Sequence, residues 1–433
     1  MAPFVTLLLL LTWTRVAGQC PPVLLVSGSP GGAWAAITPG GFVLTLGTDW
    51  HGGDSSAVSG QLTNVDAIFS NGLAFAARKS DGTLVTWGSA ERGGDSSAVK
   101  DNLTNVEEVV GTRFYSFAAK KTDGTVVAWG DPANGGDASS VADQLSNVDT
   151  IAATDQAFAV RKMDGTVVAW GDSRHGGDVQ NFSALLTDVV QLITSSGDPN
   201  AFAAIKADGT AVIWGGAVTN AYEQSGGADG AAAAYLLESN VREIVRIVSL
   251  VYGTLAVLQT NDTLKTYTPY RDWSTQTWKL RQGTIQLTNV DTVSAVDRNF
   301  VARQRDGTVV IWDPSSNTEN GRLTDVDWIV AGSSAVAGRR SDGTVVTWGN
   351  SFSGGDAGDV AAQLTNVEAI FTNGGAFAAL KADATVVTWR NTFNGGDSSA
   401  VAGNLTNVST ILSNNGAFAA KKTDGNFFFL GFV

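Results

Sequence analysis

Ala74-Phe75-Ala76-Ala77-Arg78-Lys79-Ser80-Asp81-Gly82-Thr83-Leu84-Val85-Thr86-Trp87 decides the fold, because near-copies of it recur along the chain. Residues 376–389 read Ala-Phe-Ala-Ala-Leu-Lys-Ala-Asp-Ala-Thr-Val-Val-Thr-Trp. Anchored on the last residue, the copies fall at Leu46, Trp87, Trp129, Trp170, Trp214, Tyr267, Trp312, Trp348, Trp389 and Leu430, a period of about 41 residues. A fixed period of this size means one supersecondary unit used about ten times, so the fold has to be reasoned from the unit.

Within the phrase, Asp81-Gly82 separates two short apolar runs, and the pair returns at 123–124, 164–165, 208–209, 306–307, 342–343 and 424–425. Asp-Gly between β-prone runs signals a hairpin, because the tight turn needs a positive φ that glycine adopts at little cost. The following runs are β-branched and aromatic, which favours strand. At 383–384 the pair is Asp-Ala, which predicts strain or a looser turn. A third run precedes each hairpin, as at 64–69, 105–110, 147–151, 366–371 and 407–411, so the unit is a three-stranded meander. A Gly-Gly-Asp segment then returns the chain to the next copy. Apolar residues occupy both parities, Val85 and Trp87 on one and Leu84 on the other, so both faces of each sheet need burial. The alanines around Phe75, Phe158, Phe202, Phe377 and Phe418 would let neighbouring sheets approach closely. No long segment keeps a helical period, and the best helical candidate is 231–247. The chain is expected to be all-β.

The string Asp-Gly-Thr-Val-Val-Ala-Trp-Gly-Asp, at 123–131 and 164–172, resembles the regulator-of-chromosome-condensation repeat. In unit length the chain looks most like the propeller-type secreted β-lactamase inhibitor proteins. The resemblance implies a β-propeller of about ten three-stranded antiparallel units. Members of the family usually close with seven blades, so three arrangements remain open: a ten-blade ring, a seven-blade ring with extra units, or an open spiral. In the inhibitor group, partner-contacting aromatics sit in loops of one rim. Six residues ahead of the repeat lysine this chain carries Leu73, Tyr115, Gln156, Asn200, Thr254, Arg298, Ser334, Gly375 and Gly416. Only Tyr115, beside Phe114, is aromatic. The resemblance therefore carries over the scaffold without the inhibitory surface.

Residues 1–18 have an apolar core, and Val16-Ala17-Gly18 suits cleavage after Gly18, so 1–18 are expected to be a signal peptide and 19–433 one repeat domain. No other segment could cross a bilayer. The net charge of −13 argues against nucleic acid, whose backbone needs a Lys/Arg surplus. Cys20 is the only cysteine, so no internal disulfide exists. Asn102, Asn181, Asn261, Asn404 and Asn407 begin glycosylation sequons, compatible with secretion and a glycoprotein.

Anchor spacing stretches to 44, 53 and 45 residues after Trp170 and shrinks to 36 before Trp348. Insertions at about 216–239 and 268–285 fall within the spacings of 53 and 45. Insertions map to loops on one face, often the binding face. Tyr270, Arg271, Trp273 and Trp278 in the second insertion, with Phe114 and Tyr115, are the candidate binding residues, since Trp, Tyr and Arg dominate interface hot spots. Asp54, Asp95, Asp137, Asp178, Asp356 and Asp397 recur once per return; one carboxylate per unit makes a turn former rather than a metal site. Cations precede the hairpin aspartates at Lys79, Lys121, Lys162, Lys206, Arg340, Lys381 and Lys422, either pairing locally or forming a docking rim for an acidic ligand. His51 and His175, the only histidines, share one variable loop slot, and no catalytic triad, zinc spacing or phosphate loop is present. The expected function is a secreted, non-catalytic scaffold binding a protein partner through its loops, with no cofactor. The alternatives are a glycan-binding or cell-surface coat protein and, behind these, an enzyme with a site built by the inserted loops.

Overall fold

The computed structural model describes residues 25–28, 32–38, 40–194, 201–215, 234–237, 244–249, 255–259, 261–272, 277–296, 299–313, 318–414 and 416–431. These residues form ten separate antiparallel sheets in chain order, spanning 25–47, 65–88, 106–130, 148–171, 189–237, 244–287, 290–323, 326–349, 367–390 and 408–431. Seven sheets have three strands; sheets 5, 6 and 7 have a fourth. That fourth strand corrects the uniform three-stranded expectation and falls where the anchor spacing becomes 53, 45 and 36 residues. In sheets 5 to 7 the described chain pairs once more along the sheet's edge: Ala234–Leu237, Thr277–Leu287 and Thr318–Leu323. The described parts of the helical candidate 231–247 are likewise strand.

Asp81-Gly82 makes the expected turn, with Gly82 at φ 77° and its N–H donated to Lys79 O at 2.8 Å. Ala384 adopts the same turn at φ 61°, so the Asp-Ala copy is strained rather than looser. The asparagine at the head of the third run lies just before the strand, as a left-handed joint: Asn64, Asn105, Asn147, Asn289, Asn366 and Asn407 have φ 54–57°. This joint brings Val106 N–H onto Gly82 O of the preceding sheet at 2.9 Å. A Cβ on Gly82 would stand 3.0 Å from Asn105 Cα, so the turn glycine is also where two sheets touch.

The strand register places Phe75 opposite Trp87, and the two rings stack at 5.2 Å. Together with Ala77 and Val85 they pack against Ala33 and Ala35 of sheet 1. Ala74 and Ala76, on the other face of sheet 2, receive Phe117 and Trp129 of sheet 3. An aromatic face thus meets an alanine face at successive interfaces, and the alanines permit the close approach the sequence suggests. The same contact joins the ends: Trp34 packs on Ala417 and Ala419 and meets Phe429 edge-on at 5.9 Å. Sheet-to-sheet packing therefore returns to its start, and the ten sheets form a β-propeller. The first strands of successive sheets adjoin one another and form its inner ring.

Each Gly-Gly-Asp return is two short 3-10 turns, such as Asp49–His51 and Ser56–Gln61. The Asp forms a turn leading into the second, Asp54 Oδ1 accepting Ser56 N–H at 2.8 Å, and Asp95, Asp137, Asp178, Asp356 and Asp397 do the same at 2.8–2.9 Å. The turn then plugs the outer end of the next sheet. Trp87, Trp129, Trp170, Trp214 and Trp389 each donate their indole N–H to the first glycine carbonyl of the preceding turn, at 2.9–3.2 Å.

Candidate interaction surface

Tyr115 and Phe114 lie on the link between Val106–Gly111 and Ser116–Lys121. Tyr115 sits at φ 85°, a conformation that bulky side chains avoid and that the neighbourhood must therefore impose. Ser116 N–H bonds Thr112 Oγ1 at 3.0 Å, and Asp131 N–H bonds Tyr115 O at 3.1 Å. Phe114 N–H reaches across to Asp155 O of sheet 4 at 2.9 Å. A Cβ on Gly72 of sheet 2 would lie 2.9 Å from the Tyr115 ring, so only glycine fits beside it. Three sheets hold this link.

The two rings meet edge-on at 5.7 Å and are half-buried. Arg92, from the turn between sheets 2 and 3, lies 4.1 Å over the Tyr115 ring and 3.9 Å from Asp131. Arg113 is exposed, 5.9 Å over Phe114 and 3.8 Å from Asp155. Guanidinium over an aromatic face, with a carboxylate behind it, presets both partners of a contact before anything binds. The sequence singles out Phe114 and Tyr115. It gives no sign that Arg92, 23 residues earlier, joins them.

The second candidate group is divided. Tyr270 and Arg271 belong to Leu264–Asp272 and Trp278 to Thr277–Leu287, an extended hairpin in which Arg271 pairs with Trp278 and Tyr270 with Lys279. The 268–285 insertion is thus largely paired strand rather than loop. Trp273 lies outside the described residues. Elsewhere, the middle position of the first return turn carries Trp50, Phe352 and Phe393, 65%, 85% and 65% exposed. Aromatic residues in an otherwise polar turn were the available sequence signal for them.

Among the repeated cations Lys121 Nζ lies 3.6 Å from Asp123, and the others lie close enough to their own turn aspartates to help hold those carboxyls low. The residue before the cation does more. In sheet 2 the register slips at Asp66, and Arg78 binds the bulged Asp66 while reaching Glu107 O of sheet 3. Arg303 and Arg339 repeat the arrangement with Asp291 and Val326 O, and with Asp327 and Val367 O. Neither histidine is hydrogen-bonded to a serine hydroxyl among the described residues. The His51 ring lies 4.5 Å from that of Trp50, tilted by 33°, and His175 lies 3.3 Å from Asp172 and from Gln156. No group of three or more His, Cys, Asp or Glu able to hold a metal ion occurs among the described residues. No helix among them is long and apolar enough to cross a membrane.

No family model matches the sequence, and no curated protein matches it. Among solved structures, the chain is similar to the computationally designed Ika8 protein, at 17% identity and TM-score 0.34, over 76% of this chain and 96% of that one. It is similar to Prp20p, the RCC1 of Saccharomyces cerevisiae, at 16% identity and TM-score 0.36, over 67% and 81%. It is similar to BamB from Moraxella catarrhalis at 16% identity and TM-score 0.32, over 75% and 91%. What the chain has in its own right is ten small antiparallel sheets packed face to face around a closed cycle.

Proposed function

We propose that this protein is a secreted, non-catalytic scaffold that holds a protein partner through loops of the propeller. The Arg92–Tyr115–Phe114–Arg113 cluster carries the reading: two aromatic rings and two guanidinium groups, half-buried or exposed, on a link locked by three sheets. Aromatic and arginine side chains held rigid before binding lose little entropy on association. Secretion rests on the leader-like 1–18 and on the five sequon asparagines, all of which are exposed. Affinity capture from secreted material with the parent and with Tyr115→Asn tests it. Asparagine tolerates the left-handed backbone, so the turn survives while the ring is removed. The expected result is a partner whose recovery falls about tenfold or more in the variant. Equal recovery by both proteins would refute this site.

Trp50, Phe352 and Phe393, exposed at one repeated position, favour a second reading as a glycan-binding or surface-coat protein, because sugar rings stack on exposed aromatic faces. Glycan-array binding abolished by Phe352→Ala, with no protein captured at Tyr115, would establish it over the first.

A further inference from the structure

Return turns lead from sheets 1, 2, 3, 4, 8 and 9 to the next sheet, and sheets 5, 6 and 7 carry a fourth strand. Between sheets 10 and 1 the described residues supply neither. A return brings an aliphatic pair under the next sheet, as Val99 and Leu103 join Val127 and Trp129. On leaving sheets 2 and 9 it also accepts a side-chain donor, from Asn71 Nδ2 to Arg92 O at 2.8 Å and from Asn373 Nδ2 to Asn394 O at 2.6 Å. Asn414 holds the same place on sheet 10. Its Oδ1 accepts Gly416 N–H and Ala417 N–H at 2.9 and 2.8 Å, as Asn373 Oδ1 accepts Gly375 N–H and Ala376 N–H, so its Nδ2 is aimed alike. Asn414 is 7% exposed, and that Nδ2 has no acceptor among the described residues. Nor has Nε1 of the buried Trp34 across the seam. A Cβ on Gly375 would meet Asn394 Nδ2 of the turn at 2.6 Å, whereas one on Gly416 would meet nothing within 4 Å. On sheet 1, Leu44 is 44% exposed at the register position where Val85, Val168 and Val212 are buried.

We propose that the seam between sheets 10 and 1 is a docking site for a loop of a partner protein, which takes the place that return turns take elsewhere in the ring. The ligand chemistry follows from what the turns supply. A backbone carbonyl accepts Asn414 Nδ2, and an aliphatic side chain covers Leu44 and the half-buried Leu46. A buried donor without an acceptor costs the folded chain its desolvation, so an incoming carbonyl relieves a penalty already present. Trp50 and Phe393 stand exposed on the turns to either side, from sheet 1 to 2 and from sheet 9 to 10, and extend the apolar ground on both flanks. The site is separate from the Tyr115 link, on sheets 10 and 1 rather than 2 to 4, so failure at either leaves the other standing.

The test uses the full chain with its asparagines labelled with ¹⁵N and a synthetic peptide copying the return 89–104, Ser-Ala-Glu-Arg-Gly-Gly-Asp-Ser-Ser-Ala-Val-Lys-Asp-Asn-Leu-Thr. The Asn414 side-chain amide, identified by its loss in Asn414→Asp, is expected to shift downfield and saturate on titration. Replacing the peptide leucine by serine is expected to weaken binding about tenfold or more, a comparison made on the parent protein and independent of how any variant folds. Leu44→Lys, at an exposed position, is expected to weaken the unaltered peptide to a similar degree. An unmoved amide at millimolar peptide, or equal affinity for the two peptides, would overturn the assignment. So would sedimentation showing a dimer of the parent that Leu44→Lys dissolves, which would make the seam a contact between copies of this chain.

Discussion

Ala384 shows how strongly the surroundings dictate one residue. It holds the left-handed conformation of its glycine counterparts because its carbonyl must still accept Val408 N–H, at 2.9 Å, to attach sheet 10. A Cβ in that region costs roughly 1–2 kcal/mol, and the freedom that glycine adds to the unfolded chain takes back about 0.4–1 kcal/mol. Ala384→Gly is therefore expected to stabilise by up to about 1 kcal/mol and to raise Tm slightly. A lower melting temperature in the variant would show that the alanine carries no strain. The tryptophans make the complementary point. Trp87, Trp129, Trp170, Trp214 and Trp389 serve through their N–H as well as their bulk; Trp170 is 2% exposed and its indole still finds Gly135 O at 2.9 Å.

At the scale of the element, the hairpin turn is an acid-sensitive part. Asp81, Asp123, Asp164, Asp208, Asp342 and Asp383 are each held below their ordinary 3.8, foremost by the hydroxyl of the threonine two residues on, then by its N–H, with the neighbouring Lys or Arg adding to the effect. A carboxyl whose folded value is depressed lends stability that is fully present above the unfolded value and is lost as pH falls through the folded one. Thermal melts are thus expected to be flat from neutral pH down to about 5 and to fall progressively below about pH 4. A Tm that stays constant through that lower range would remove the turns from the account of stability. The bulge is the other element-level device. By displacing Asp66 from the ladder it frees the carboxylate to hold Arg78, whose guanidinium then reaches the next sheet.

The whole molecule depends on its seam. Nine joins are made between consecutive units, but the tenth brings together residues almost 400 apart, and Trp34 is the side chain that fills it. Trp34→Ala should cost roughly 3–5 kcal/mol at that interface. Because each sheet rests only on its neighbours, the loss should fall on sheets 1 and 10. Hydrogen exchange is expected to quicken there and stay unchanged in sheets 3 and 4. A uniform acceleration through the whole chain would mean the ring unfolds as one unit. Sheets 5 to 7 show the tolerance of the design, since a fourth strand can replace a return turn without breaking the cycle.

The three repeated strands of each unit, the Asp-Gly hairpins, most of the buried Trp anchors and the turn-forming role of the return aspartates were legible in the sequence. Each depends on residues within one unit, and repetition states each of them many times over. Tertiary structure alone decided the rest. Closure depends on whether Trp34 fits the alanine face of sheet 10, a match that no local pattern encodes. Arg92 meets Tyr115, and Gly321 comes to lie against Trp348, because of how one unit lies on the next. The period of the chain specifies the unit; the angle and distance between units, set by side chains meeting across each interface, specify the ring and the openings it leaves.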